Sequence, residues 1–522
     1  MEDSNGPVQN DICMEQLNEE NGEAENSQSF LQRMKNGRYR IKFLRTVAIL
    51  FGFVTHGIVF SQRGPSFLDL QLITNTDVEK ASTYFTATAV GYMAGSFAGG
   101  VLFDRFNSVI LLFLSMFGLS LSVIVIPLCS YYGLMLTMMF VSAFFMGWYD
   151  TAGNADVVAT WGAEGHSYLQ IMNFMFAVGG LIAPLITEPF LSKPPDDSMD
   201  DSSVIPSTES SNITSMFPVL TNTSLFSDGF NNYSDVKHVE SSGEIRLIYA
   251  YIISGLLAFH ASLPFLVLFL KEKMQKKTIK KLKPDNTEKP RKRDLPLGYF
   301  ILTLVFINAI YFFDCAVEDT FSGYLLTFVV MQLKWSKSRG SQVTSVYWGS
   351  FAVLRFIGIF LIRFLTPVKW LFIFTSALTI SLFGFFLCAK YELHIGVWLF
   401  TALVGASISI IFATGLNWIE QSVLRLTGKV LSSIIIAGAC GSMLNPLIIG
   451  HLMQKFTPMW FCYLFLAEII LYFLFFVILF YLSNTVLIKV RYVTPTEQEI
   501  DEERSSIQKP FLENGGSKIS EG

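Results

Sequence analysis

Apolar stretches long enough to cross a bilayer recur twelve times along this chain. No other feature constrains its fold as strongly. A spanning helix needs about 20 mostly apolar residues, and within hydrocarbon every backbone N–H and C=O must be satisfied internally. The stretches run at 41–61, 82–103, 108–128, 133–160, 168–190, 246–270, 297–330, 342–364, 369–389, 396–419, 430–453 and 459–486. Six lie on each side of a basic linker at 272–295. The expected fold class is therefore an all-α membrane protein with twelve transmembrane helices in two six-helix bundles, 41–271 and 296–486. Residues 1–40 and 487–522 read as solvated tails. Composition agrees, since only 15% of residues are charged against about 25% in soluble domains.

Positive-inside logic orients the chain. The stretch Lys271–Arg293 holds eleven Lys/Arg, and Arg33, Lys35, Arg38 and Arg40 precede the first span. Both are expected in the cytosol, along with both termini. The loop 191–245 then faces outside, and it carries three N-x-S/T sequons at Asn212, Asn222 and Asn232, expected to be glycosylated. The first 30 residues are acidic and lack an apolar core, so no cleavable signal peptide is expected. The six Cys have no metal-ligand spacing and read as packing residues.

The two halves repeat one another. Gly179-x4-Pro184-Leu185-Ile186 recurs as Gly441-x4-Pro446-Leu447-Ile448, and Thr151-x2-Asn154 as Thr414-x2-Asn417. Gly91 and Gly100 match Gly349 and Gly358. Pro184 to Pro446 is 262 residues, Asn154 to Asn417 is 263, and Gly91 to Gly349 is 258. A near-constant offset in three spans reads as a duplicated six-helix unit. This resembles the pseudo-symmetric architecture of the major facilitator superfamily, which places a substrate site near the midplane between the halves.

Polar residues inside the spans are the candidates for function, because a carboxylate at membrane depth is costly by roughly 2.5–3.5 kcal/mol on insertion scales. Asp150 and Asn154 share one helical face in the fourth span. Their repeat counterparts are Ala413 and Asn417, which makes the carboxylate the asymmetric element. The seventh span holds Asp314, Glu318 and Asp319. Asp314 and Glu318 share a face and Asp319 points elsewhere. Counted from Leu297, Glu318 comes about 32 Å along a helix, near the outer end, so it reads either as a site residue or as a surface acid. Asn417, Glu420 and Gln421 in the tenth span and Gln170 and Asn173 in the fifth offer amides for hydroxyl groups; interhelical hydrogen bonding is the alternative role. Tyr347 and Trp348 offer ring faces. Four of the six His, at 56, 260, 394 and 451, have no paired spacing and read as packing or interface residues.

The second span carries Gly91, Gly95 and Gly99, a stripe suited to close helix packing. It ends in Asp104 and Arg105, which resemble the major facilitator loop motif between helices two and three. They read either as a cytosolic latch or as snorkelling interface charges. Arg355 lies in the repeat counterpart of that region, should be paired with an acid or with carbonyls, and reads as structural. No phosphate loop, nucleophile elbow or metal cluster appears, so an enzyme reading lacks support.

Asp150-Thr151-Ala152-Gly153-Asn154, then Trp161-Gly162-x-x-Gly165-His166 and Asn173-x5-Gly179-Gly180, resembles the fucose permease branch of the superfamily. The likeness is strongest to its animal relatives, the sodium-dependent glucose transporter group. Gly64-Pro65-Ser66-Phe67-Leu68-Asp69-Leu70 looks like that group too. The resemblance implies that Asp150 stands where the permeases carry the glutamate of sugar binding and cation coupling. They also carry an acid four residues before the proline, where this chain has Ser61. That points away from permease-type proton coupling and toward sodium coupling or none. The expected protein is a monomeric plasma-membrane carrier of a glucose-like hexose. Sodium is its possible coupling ion, the bilayer and the sugar are its partners, and no other cofactor or nucleic acid is involved. A facilitative or proton-coupled carrier of another small solute, and a non-transporting sensor, are the alternatives.

Overall fold

The computed structural model describes residues 36–162, 165–192, 246–274, 296–361, 364–424 and 426–487. The three sequons, most of the loop 191–245, nearly all of the linker 272–295 and both tails lie outside them, as does the side chain of Asp104. The described residues form helices joined by short connections. The first half contains α1 (Gly37–Ile73), α2 (Thr83–Arg105), α3 (Ser108–Val125), α4 (Tyr132–Trp161), α5 (Gly165–Thr187) and α6 (Leu247–Met274). The second contains α7 (Leu297–Leu333), α8 (Lys337–Leu361), α9 (Pro367–Lys390), α10 (His394–Ile408), α11 (Ile411–Trp418), α12 (Gly428–Lys455) and α13 (Trp460–Leu482). Eleven spans are long and apolar enough to cross a membrane, with α10 and α11 counting as one. The twelfth is α8, packed against α5 and α10.

Three spans differ from the sequence reading. The first was expected to end near 61, yet α1 continues to Ile73 with Pro65 inside it. A proline there removes one ladder bond. Next to it, Ser66 Oγ donates to the Gln62 carbonyl at 2.7 Å. The seventh span is one helix of 37 residues, about 55 Å long at 1.5 Å per residue. Glu318 therefore sits mid-helix, with fifteen helical residues beyond it. The tenth span breaks at Ser409 and Ile410 and closes in a π turn, Ile419–Val423.

Glycines set the closest helix contacts. A Cβ on Gly91, Gly95 or Gly99 would lie 2.3, 1.8 or 2.9 Å from the carbonyl oxygens of Phe140, Phe144 and Trp148. The opposite contact is equally tight, since a Cβ on Gly147 would lie 2.1 Å from the Tyr92 carbonyl. The backbones of α2 and α4 thus pass in van der Waals contact. In the same way α1 meets α5 through Gly57 and Gly179, and α7 meets α12 through Gly441 against the Phe312 carbonyl.

The two ends of the molecule are held differently. At the end carrying Gly37 and Trp161, the near end, the bonds lie within the first bundle. Arg45 Nε donates to Asp156 Oδ2 at 2.7 Å, and its Nη2 reaches Asp156 Oδ1 and Ser108 Oγ. At the far end, which carries Ile73, Thr187 and Leu333, the bonds cross between bundles. Lys337 pairs with Asp69 and with Ser192 Oγ. Glu188 accepts from Ser338 and, at 2.8 Å, from Gln342. Ser341 donates to the Pro184 carbonyl at 2.7 Å, and Glu79 pairs with His451 and Lys455. Between the bundles α5 packs on α8, and α2 on α12, as pseudo-symmetric partners.

The α2–α4 contact makes a sign-reversed pair of substitutions. Gly95→Ala should destabilise the protein by about 1–3 kcal/mol, as overpacking does. Gly100→Ala, whose Cβ would meet only Thr151 Cγ2 at 3.8 Å, should be neutral or gain up to about 1 kcal/mol from helix propensity. Thermal unfolding of the two purified variants checks this.

Candidate functional site

Asp150 lies on the buried flank of α4, held there by the α2–α4 contact. That contact brings Tyr92, next to Gly91, onto the carboxylate: Tyr92 Oη donates to Asp150 Oδ2 at 2.8 Å. Asn154 Nδ2 donates to Asp150 Oδ1 at 3.2 Å and to the Asp150 carbonyl at 2.9 Å. A carboxylate has about four acceptor sites, so these donors leave roughly half of its capacity open. Among the described residues no Lys, Arg or His forms an ion pair with Asp150. Its charge lacks a counter-ion in a place where one is expensive to omit.

The neighbours of Asp150 include residues that the sequence reading passed over. The buried His56 ring stands 6.3 Å from Tyr92 and 6.3 Å from Tyr149. Tyr149 is anchored by its own bond to the Ile49 carbonyl, at 2.9 Å. Arg63, on α1 just before Gly64-Pro65, is only 7% exposed. Its Nη2 donates to Met146 Sδ at 2.7 Å and its guanidinium lies 5.6 Å from the Phe60 ring. Its Nε has no partner. Arg63 interacts electrostatically with Tyr92 and with Asp319 on the other bundle. A search for acids in the spans could not find it; a search for any charge would have.

On α7 the three acids meet different partners. Asp319, set aside in the sequence reading, accepts a hydrogen bond from Ser442 on α12 and faces Arg63 across the bundle interface. Asp314 is 4% exposed and its Oδ2 is unpartnered. Glu318 lies in the electrostatic reach of Arg355, while its carbonyl accepts from Tyr347 Oη at 3.5 Å. Asp314 and Glu318 share a face, as their spacing requires, and Asp319 meets Ser442 and Arg63 on another.

Arg355 donates through Nε to the Ser409 carbonyl at 3.2 Å and stacks over Phe351 at 4.6 Å. The carbonyl it takes is one that the α10–α11 break releases, so Arg355 caps a broken span. Trp348, 1% exposed, fills the interface between bundles against Phe60 and Phe176 at 6.4 and 6.1 Å.

The remaining amides do not touch Asp150. Asn173 is exposed and bonds the Leu169 carbonyl at 3.1 Å. Asn417 and Gln421 are exposed on α11 and its π turn. Asn154 is seven residues from Trp161, Asn173 eight from Gly165, and Asn417 six from Val423. At 1.5 Å per residue they form a layer about 9–12 Å from the near end, with Asp150 one turn deeper. Arg105 is exposed at the end of α2.

Among the described residues no cluster of three or more His, Cys, Asp or Glu could hold a metal. The five described cysteines are free.

No protein-family model matches the chain. It is 28% identical over 411 residues to sodium-dependent glucose transporter 1 of Homo sapiens, covering 78% of this chain and 73% of that protein. It is 27% identical to sodium-dependent glucose transporter 1A of Mus musculus, covering 78% and 89%. It is 23% identical to major facilitator superfamily domain-containing protein 4A of Xenopus tropicalis, covering 80% and 87%. Among solved structures, the nucleoside transporter NupG superposes with a TM-score of 0.58 at 11% identity, over 84% of this chain and 100% of that one. FucP, a major facilitator superfamily transporter in the outward conformation, gives 0.52 at 15%, over 84% and 99%. The chain has the major facilitator fold and is a homologue of the sodium-dependent glucose transporter 1 proteins.

Proposed function

We propose that this protein is a secondary active transporter that moves a glucose-like hexose across the plasma membrane, with sodium as its coupling ion. The observation that carries the proposal is the half-satisfied carboxylate of Asp150, which has no ion-pair partner among the described residues. A hard monovalent cation takes oxygen ligands, and Asp150 offers open lone pairs to one. Sugar hydroxyls both donate and accept, so they suit the same carboxylate, the amide layer of Asn154, Asn173 and Asn417, and Gln421 closer to the near end. Trp348 and Phe60 supply apolar ring surface above. The relatives named for sodium-dependent glucose transport support this reading, and their being transporters supports a carrier rather than an enzyme.

With both termini cytosolic, the far end is extracellular. The cross-bundle bonds of Asp69, Glu188 and Glu79 then form an outer gate, and this structure is its closed state. The two bundles rock about the midplane, and opening outward requires Lys337 to leave Asp69. The protein works as a monomer, and its sequons at Asn212, Asn222 and Asn232 lie on the outer side.

Three measurements test the proposal. Asp150→Asn should abolish sodium-driven uphill uptake of labelled hexose while surface expression persists, and concentrative uptake unchanged in that variant overturns the assignment. In wild type, uptake that ignores a sodium gradient but follows a pH gradient would favour the proton-coupled alternative. Lys337→Ala should open the outer gate, since it removes the cation from a buried acid, a loss of roughly 3–5 kcal/mol for a buried pair. A cysteine at Ser341 should then react faster with an impermeant thiol reagent.

A further inference from the structure

The second bundle holds a buried carboxyl that transport through Asp150 does not use. Glu468 stands in the middle of α13 and is 6% exposed. One of its oxygens, Oε2, accepts from Asn445 Nδ2 at 3.2 Å. Asn445 is 2% exposed and its Nδ2 also donates to the Ala316 carbonyl of α7 at 2.9 Å. Those two donations settle the orientation of the amide, because the flipped form would set its oxygen against the Ala316 carbonyl. The other end of the amide, Asn445 Oδ1, is fully buried and has no partner. An acceptor left without a donor beside an unpaired carboxylate, both inside a membrane span, is a combination that nothing in water-free surroundings tolerates.

The groups around this pair supply no cation. On α7 the titratable groups around Ala316 are Tyr311, Asp314, Cys315, Glu318 and Asp319, none of them a cation, and Tyr472 stands one turn along α13, within electrostatic reach of Tyr311 and Asp314. Elsewhere on the packed helices the neutral titratable groups are the thiol of Cys440 in mid-span and, toward the helix ends, Cys388, Cys462, Tyr463 and Tyr481. The cations of α9 and α12, namely Lys369, Lys390, Lys429, His451 and Lys455, lie toward the helix ends. Asp314 is itself an acid with an unpartnered oxygen, so it raises the negative potential.

We infer that Glu468 is a proton-binding site, occupied in this conformation, whose O–H donates to Asn445 Oδ1. A proton from solvent on Glu468 removes the buried charge and provides the missing donor at once. The carboxylic acid and the carboxamide then exchange two hydrogen bonds, one in each direction. The pair ties α13 to α12 and, through Ala316, to α7 three residues before Asp319. Loss of the proton places an anion against an unpartnered carbonyl oxygen and loosens that three-helix junction, so the second bundle should weaken as pH rises. The site is separate from Asp150 and does not depend on which ion drives transport.

The test uses infrared spectroscopy and thermal unfolding of the full-length purified protein, neither of which needs a substrate. Wild type should show the carbonyl stretch of a protonated carboxyl at neutral pH. Glu468→Gln should lose that band, and Asp150→Asn should keep it. Asn445→Ala should shift the band, because the carboxyl loses its partner; this variant decides the matter if the glutamine variant does not fold. On raising the pH, wild type should lose thermal stability as the band disappears, and Glu468→Gln, a permanently neutral mimic, should not. Identical carboxyl spectra in wild type and Glu468→Gln, or an unshifted band in Asn445→Ala, overturn the inference. Identical pH–stability curves for wild type and Glu468→Gln overturn it too.

Discussion

The backbone contact between α2 and α4 is the constraint from which the rest of the site follows. Helices in lipid gain little from burying apolar surface against one another, so close packing through small residues sets their positions. The stripe Gly91, Gly95 and Gly99 lets the two helices approach until carbonyls meet Cα atoms. Tyr92 sits within that stripe, and only at this separation does its hydroxyl reach Asp150. A wider spacing would leave the carboxylate of Asp150 with Asn154 alone. The glycines and the acid are therefore one device, even though they lie about 50–60 positions apart in the chain.

Charge inside the spans sorts into two kinds. Some charges are ion-paired or hydrogen-bonded across helices and hold them together. Arg45 with Asp156 locks the near end of the first bundle, Lys337 with Asp69 joins the two bundles at the far end, and Arg355 caps the break after α10. Others are left incomplete: Asp150, Asp314, Glu468 and Arg63. An incomplete polar group at membrane depth needs a ligand, a proton or a conformational change to complete it. The first kind explains why the fold is stable, and the second why it can do something.

Much of the fold was legible because hydropathy is a local property. Twelve apolar stretches, a basic linker and a repeat near 260 residues need only the order of residues. The errors arose where a neighbour decided. The length of α7 moved Glu318 from the end of a helix to its middle. Ser442 and Arg63 turned Asp319 toward the other bundle. Pro65 did not end α1, and beside it Gly64 packs so close to α7 that an added Cβ would lie 2.8 Å from the Ser322 carbonyl oxygen. The amides read as one set separated into Asn154, bonded to the acid, and Asn173, Asn417 and Gln421, exposed and without contact to it.

Taken by itself, the sequence determined that this chain lives in a bilayer, that it is built twice over, and that Asp150 has no counterpart in the second half. Those conclusions depend on side-chain transfer energies, which each residue carries wherever it goes. The tertiary structure decided which polar groups meet. It set Tyr92 on Asp150, turned Asp69 from part of a motif into half of an ion pair between bundles, and left one oxygen of Asn445 without a donor. Such pairings depend on helix separation and rotation, and those are summed over contacts between residues far apart in the chain.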